Sequence, residues 1–383
     1  MKYYLPLKIY TAANLFCILL FMLTVLPAHA QSKRHSRYVV IGYVGGYSGL
    51  IDTTLVDPTK LTHINYAFVN VQHNRAWLTN LKTDTTNFKR LVNLKRRNPD
   101  LKILISIGGW GGSRNFSDAV LTDTARQAFA ASAVDIVRQY HLDGVDIDWE
   151  YPDDIGAGNI YRPEDKHNYT LMFAALRAEL DKLEHSTGEK MLLTAAVGGF
   201  KRFLQQTEMD KAQHYLNYVN LMTYDYLQDS LHTVMHHTSL YASKHYHTYN
   251  YADKAVTDFI AAGVPADKLV MGLAFYGRGA TMAQPGKNAL GAATARLTPG
   301  GGYTFIKDSL INKKGFRHYR DHAAKASYLF NPVSGQFISY DDEWSVKNKC
   351  RYVKDKGMAG VMFWEYSEDR KEYLLKTADA VLQ

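Results

Sequence analysis

The sequence predicts a (β/α)8 TIM barrel with a small α+β insertion between the seventh and eighth strands. Three observations carry this. Eight short apolar runs recur along 383 residues. Helical patterns separate them, so the strands pair in parallel through crossover helices. The rhythm breaks once, leaving about 80 residues between the last two runs.

The strand-like runs are 38–43, 63–71, 101–107, 143–152, 191–197, 218–224, 269–275 and 358–364. Between them, Asp123 to Tyr140 has an N-cap candidate and apolar residues at helical spacing, and Asp165 to Glu184 behaves similarly. Tyr251 to Ala262 ends at Gly263-Val-Pro265, and Ser345 to Lys356 ends at Gly357. Eight such units fit a closed barrel better than an open sheet. The long gap holds glycine turns at Gly300-Gly-Gly302 and strand candidates at Tyr303-Thr-Phe305, Tyr328-Leu-Phe330 and Gln336-Phe-Ile338. A structureless loop of that length is uncommon. The expected organisation is therefore a barrel over 31–280 and 340–383, an insertion over 281–339, and a leader over 1–30.

The leader is read from its composition. Lys2 and Lys8 precede an uncharged, mostly apolar stretch from Ala13 to Leu26, followed by Pro27-Ala-His-Ala30. That pattern is a secretory signal with cleavage after Ala30. The apolar stretch is short for a membrane span, an uncleaved anchor being the alternative. Secretion, or export to a periplasm, is expected, with no membrane attachment after cleavage. The formal net charge is +8, and losing Lys2 and Lys8 leaves +6. No basic run carries interleaved aromatics, so nucleic acid is not an expected partner. Cys17 lies in the leader, which leaves Cys350 alone in the mature chain. Neither an intrachain disulfide nor a cysteine zinc site is then available. Cys350 sits in a helical pattern and is expected to be a half-buried structural thiol. The five histidines between His232 and His247 match no ligand spacing and are expected on surface loops.

The fourth run, Asp143-Gly-Val-Asp-Ile-Asp-Trp-Glu-Tyr-Pro152, is the chemically unusual one. Apolar Val145, Ile147 and Trp149 alternate with Asp146, Asp148 and Glu150. Residues two apart on a strand share a face, about 6.8 Å apart. Three carboxylates on one face repel one another and are costly to bury. A site that needs one raised carboxyl beside an ionised one explains the ladder. The mouth of a (β/α)8 barrel is at the C-terminal ends of its strands. Glu150 is nearest that mouth, a proton donor near neutral pH, with Asp148 and Asp146 deeper. A rigid strand suits Ca²⁺ and Mg²⁺ poorly, so a metal is the lesser reading and no cofactor is expected. Other strand ends offer Tyr43, Phe68, Trp110, Tyr224 with Asp225, Arg278 and Trp364.

Asp143-x-x-Asp146-x-Asp148-x-Glu150 resembles the signature of glycoside hydrolase family 18, the chitinases and their relatives. Ser106-Ile-Gly-Gly-Trp110 resembles that family's third-strand motif and Met222-Thr-Tyr-Asp225 its sixth-strand motif. The Tyr276-Gly-Arg278 turn and Trp364 also match, so the likeness spans about residues 38 to 380. The insertion looks like that of the subgroup holding many processive or deep-cleft chitinases. The resemblance implies a secreted chitinase, expected as a monomer, that cuts chitin or chitooligosaccharides with retention. The substrate's own acetamido group would be the nucleophile. On that reading Glu150 is acid and then base, and Asp148 orients the acetamido N–H. Asp146 shares a proton with Asp148, and Tyr224 hydrogen-bonds the acetamido oxygen. Trp364 would floor that sugar, while Tyr43, Phe68, Trp110, Met222, Asp225 and Arg278 line the cleft. An endo-β-N-acetylglucosaminidase on N-glycans and a non-hydrolytic chitin-binding lectin are the alternatives, the lectin disfavoured by the presence of Glu150. The chain departs from the family twice. Tyr226-Leu-Gln-Asp229 replaces the usual His-Gly or Asn-Gly, and Ala274 replaces a frequent proline. Both departures bear on cleft contacts and preferred chain length.

Overall fold

The computed structural model describes residues 1–3, 37–228, 232–284, 286 and 288–383. The leader from residue 4, with Cys17 and the cleavage position, lies outside the described residues, as does Asp229. From residue 37 onward the chain forms one compact unit.

Eight parallel strands close the barrel: β1 (Val39–Gly45), β2 (His63–Gln72), β4 (Lys102–Gly108), β5 (Gly144–Asp148), β6 (Leu192–Gly198), β7 (Tyr218–Met222), β8 (Leu269–Ala274) and β14 (Gly360–Trp364). β1 pairs with both β2 and β14, which closes the ring. β3 (Arg75–Trp77) folds back antiparallel on β2. The long helices are α1 (Leu81–Asn93), α2 (Asp123–Tyr140), α3 (Asp165–Thr187), α4 (Ala252–Ala261), α5 (Glu343–Asp355) and α6 (Tyr373–Leu382). The sequence reading passed over α1 and α6.

Local chemistry sets the helix ends. Thr122 caps α2 by accepting the Ala125 N–H at 3.2 Å. Asp342 and Ser345 form a reciprocal capping box on α5. Phe129, Ala130, Ala133 and Val137 recur at helical spacing on α2 and are fully buried against the strands. Each large apolar side chain buried this way contributes about 1.5–3 kcal/mol. The main core lies between strands and helices. A smaller cluster with Ile41, Tyr43, Ala67, Ala196, Val270 and Met362 fills the barrel interior.

A second, antiparallel sheet has the order β10-β9-β13-β12-β11. Its strands are β9 (Tyr276–Met282), β10 (Thr294–Gly302), β11 (Arg317–Asp321), β12 (Ala326–Asn331) and β13 (Gln336–Tyr340). Only Phe275 separates β8 from β9. Tyr303-Thr-Phe305, expected as a strand, instead opens a helical turn that continues through Ile306–Leu310. The residues before it, Gly300-Gly-Gly302, are part of β10, where they lie against Gly277 and Tyr276. Among the described residues no helix is long and apolar enough to cross a membrane.

The histidine segment also departs from expectation. His236 and His237 are buried, while His232, His245 and His247 are exposed. His236 faces Asp321 at 3.4 Å. Cys350 is fully buried rather than half-buried. It follows Lys349, whose buried ammonium pairs with Asp341 at 2.7 Å.

Candidate active site

Period-2 alternation on β5 sends Asp146 and Asp148 into the barrel, and Glu150 follows just beyond the strand end. Asp143, the first acid of the run, stays at the base. It accepts the Ile103 N–H at 2.7 Å and pairs with Lys95 at 2.6 Å.

Register explains the surroundings of Asp146. Ser106 and Thr194 are its direct neighbours on β4 and β6. Its carboxylate accepts hydrogen bonds from Tyr43 (2.9 Å), Ser106 (2.7 Å), Thr194 (2.5 Å) and Asn220 (3.2 Å). Burial pushes its pKa up while these four donors pull it down. Asp148, one pleat higher, differs. Its Oδ1 is buried and has no hydrogen-bond partner among the described residues. Burial first, then Glu150 and Asp146, push its pKa well above the usual carboxylate range.

Glu150 is raised to about 7, chiefly by burial and further by Asp225, against the Tyr151 hydroxyl that lowers it. A buried hydroxyl fixes its backbone. Ser113 Oγ accepts the Glu150 N–H at 2.9 Å and donates toward the carbonyls of Gly109 (2.8 Å) and Asp148 (3.1 Å). The two glycines of 106–110 have steric reasons. Gly108 has φ +113°, and a Cβ there would meet the Asp148 carbonyl at 2.2 Å. The Gly109 N–H donates to that same carbonyl at 2.7 Å.

A cleft of about 1470 Å³ opens over these carboxylates. Of the residues expected at the site, Tyr43, Phe68, Trp110, Asp148, Glu150, Met222, Tyr224, Asp225, Arg278 and Trp364 line it. Asp146 lies beneath, and Tyr43 is a floor residue whose hydroxyl points at Asp146. Trp364 is stacked on Phe68 (centroids 5.4 Å apart) and on Tyr47 (6.4 Å), across the mouth from Glu150. Tyr224 is kept protonated by burial and by Asp148, and among the described residues its hydroxyl has only the Met362 sulfur at 3.8 Å.

Asp225 is clamped. Arg278 grips both its oxygens at 2.8 and 2.7 Å, and the Tyr276 hydroxyl donates to it at 2.7 Å. Burial alone would raise Asp225, yet Arg278 and His237 hold it far below the usual range. Non-proline cis peptides occur at Ala67-Phe68, Glu150-Tyr151 and Trp364-Glu365, each beside a cleft residue.

Both departures from the family pattern are accommodated. Tyr226 is buried, its hydroxyl donating to the Gly199 carbonyl at 3.0 Å, and Gln228 reaches the cleft wall. The Ala274 N–H, which a proline would lack, donates to buried Asp341 at 3.1 Å. Sequence reasoning missed Thr194 and Asn220, although a polar residue inside an apolar barrel strand is a readable signal. It also missed Tyr47, Phe200, Arg202 and Glu368, residues beyond the strand ends that only the fold brings to the cleft.

The family model of glycosyl hydrolases family 18 matches residues 39–369. Chitinase A1 of Niallia circulans is 37% identical over 412 residues, covering 91% of this chain and 58% of that protein. The chain thus spans little more than half the length of that relative. Chitotriosidase-1 of Mus musculus is 34% identical, covering 81% of this chain and 67% of its own. Among solved structures, a family 18 N-acetylglucosaminidase from Paenibacillus barengoltzii superposes with TM-score 0.84 at 41% identity, over 90% of this chain and 99% of that one. With the closed barrel and the acidic ladder at its mouth, these matches place the chain in glycosyl hydrolases family 18, a family of glycoside hydrolases.

Proposed function

We propose that the protein is a secreted chitinase that hydrolyses β-1,4 bonds between N-acetylglucosamine units, in polymer or oligomer, with retention. One observation carries the reading: a carboxyl raised to about 7 stands at the mouth, next to a buried carboxylate oxygen that no described residue satisfies. Raised to about 7, Glu150 keeps its proton in a substantial fraction of molecules at neutral pH and is suited to give it to the leaving glycosidic oxygen. Asp148 Oδ1 is a vacant acceptor for an acetamido N–H. Tyr224, with only a weak sulfur contact, is a vacant donor for the acetamido oxygen.

In the proposed sequence that oxygen attacks the anomeric carbon as Glu150 protonates the leaving group. Asp148 stabilises the cationic ring intermediate. Glu150, now a carboxylate, then takes a proton from the water that opens the ring. Asp146 is read as tuning Asp148 through its charge, and Trp364 with Phe68 as the floor of the sugar that is attacked. Trp110, Met222, Asp225 and Arg278 are read as wall contacts, and Tyr43 as support from below. The named activities of the chitinase relatives and of the N-acetylglucosaminidase neighbour support a chain of N-acetylglucosamine as substrate. Secretion rests on the apolar run and the Ala28-His-Ala30 pattern, and residues 281–339 are read as an insertion on the barrel rim.

A time course of products from chitohexaose, with anomer analysis, tests this. Release of β-anomeric oligomers is expected. Inverted products would remove the substrate-assisted mechanism, and no release would remove the substrate.

A further inference from the structure

Three carboxylates other than Asp148 and Glu150 reach the cleft wall or its end, and they are treated differently. Asp154 pairs with Arg202 at 2.5 Å, and Asp225 with Arg278 at 2.7 Å. Glu368 has no ion pair and no side-chain hydrogen bond among the described residues, although it lines the same cleft. Arg370, an exposed side chain whose Nε donates to the Ser367 carbonyl at 3.3 Å, acts on Glu368 through space.

Glu368 is also placed, rather than free. It follows β14 in the turn Tyr366–Asp369, which packs against β10. A Cβ on Gly302 would lie 2.1 Å from its Oε2, so only a glycine lets the carboxylate rest there. Beneath it is Glu365, buried and holding the Gly45 N–H at 3.2 Å. Beside it is Tyr47, its ring stacked with that of Trp364 at 6.4 Å, 61% exposed and lining the cleft. Burial, then Glu365 and Glu368, raise the Tyr47 hydroxyl, which puts both carboxylates within electrostatic reach of that ring. Burial and Glu365 likewise push Glu368 upward. Two carboxylates against one arginine that acts through space leave the local field negative, beside an aromatic ring of the kind that carries a sugar.

We infer that Glu368 makes the sugar position over Tyr47, next to the one floored by Trp364, select a glucosamine unit bearing a free ammonium group. The inference rests on the proposed cleavage of N-acetylglucosamine chains and names a substrate class for it: partially deacetylated chitin. The Trp364 position still requires the acetamido group, because that group is the nucleophile. The neighbouring position has no such requirement, and there an ammonium would supply the countercharge that Asp154 and Asp225 already have. Cleavage would then be favoured where a glucosamine precedes an N-acetylglucosamine.

Binding to the Glu150→Gln protein separates this inference from the proposed hydrolysis. Two 4-methylumbelliferyl disaccharides are titrated calorimetrically: one with glucosamine, one with N-acetylglucosamine, at the non-reducing position, both with N-acetylglucosamine next to the aryl group. The readout is the ratio of their affinities, so any general loss of binding cancels. Adding Glu368→Gln should lower the ratio of amine over acetamide by up to about fivefold, the range of a partly exposed ion pair. Glu368→Lys should lower it further, and 0.5 M salt should narrow the gap in the parent. Glutamine still accepts a sugar hydroxyl, so the change reads charge. A ratio unmoved by Glu368→Gln overturns the inference whatever the chitohexaose result. Failure to hydrolyse chitohexaose with the ratio shifted would overturn the proposed reaction instead.

Discussion

The floor and the mouth of the barrel each hold a carboxylate from the same strand, two residues apart, in opposite conditions. Asp146 at the floor is saturated, with four side-chain donors from β1, β4, β6 and β7. Asp148 above it is buried with an orphan oxygen. An unsatisfied buried acceptor costs about 1–3 kcal/mol. The floor carboxylate is satisfied by the protein, whereas Oδ1 of the carboxylate at the mouth has no partner among the described residues and stands where a substrate N–H is proposed to bind.

Substitutions can break or sharpen that contrast. Glu150→Gln, at the top of the ladder, should lower kcat on chitin oligomers about 10²- to 10⁴-fold while the melting temperature holds. A variant of near-native rate would show that the acid is another group. Asp148→Asn should cost about 10²-fold in kcat, the scale of one lost charge-stabilising contact. Because it replaces a buried carboxyl whose Oδ1 has no partner among the described residues and whose charged form burial disfavours, its thermal stability should equal or exceed the parent's. A clear loss of stability would mean that Asp148 is satisfied by the fold after all. Asp146→Ala inverts the pattern. Tyr43, Ser106, Thr194 and Asn220 lose their common acceptor, and unfolding in urea should show a loss of about 3 kcal/mol. Native stability in that variant would dissolve the distinction between floor and mouth.

The smallest effect is on pH dependence. On the proposed mechanism Glu150 acts in its protonated form, and its pKa is raised to about 7, so kcat/KM should fall as pH rises beyond about 7. Asp225 contributes part of that elevation. Asp225→Asn removes a negative charge and frees the Arg278 guanidinium, both of which favour ionised Glu150. The alkaline limb should therefore move to lower pH, by up to about one unit. A limb that stays put would mean that Asp225 does not feel the acid.

What could be read from the sequence follows from range of interaction. The barrel strands and α2 were legible because burial on one or both faces writes a local period into the chain. The acidic ladder was legible because alternating charge on an otherwise apolar strand has no structural motive. Tyr303-Thr-Phe305 misled because two aromatics around a threonine suit a strand locally, whereas packing after Gly302 turns them into a helix. Buried His236 and His237 were misplaced because their burial is set by Asp321 and the second sheet, far away in sequence, and by Asp225 across a turn that no local pattern announces. Tyr47 and Glu368 carry no motif. They meet only because β1 and β14 are neighbours in the closed ring.

The one-residue step from β8 to β9 has a consequence for anyone recasting this enzyme. Ala274 closes the barrel wall, and Tyr276 and Arg278, the clamp on Asp225, already belong to the second sheet. The sheet is thus not a detachable accessory that could be trimmed at the end of the barrel to shorten the cleft. Excision at that seam would take the guanidinium with it and strand an anion beside the proton donor. A workable graft must keep β9 together with β13 and β10, the strands it pairs with, and exchange only the β11–β12 hairpin.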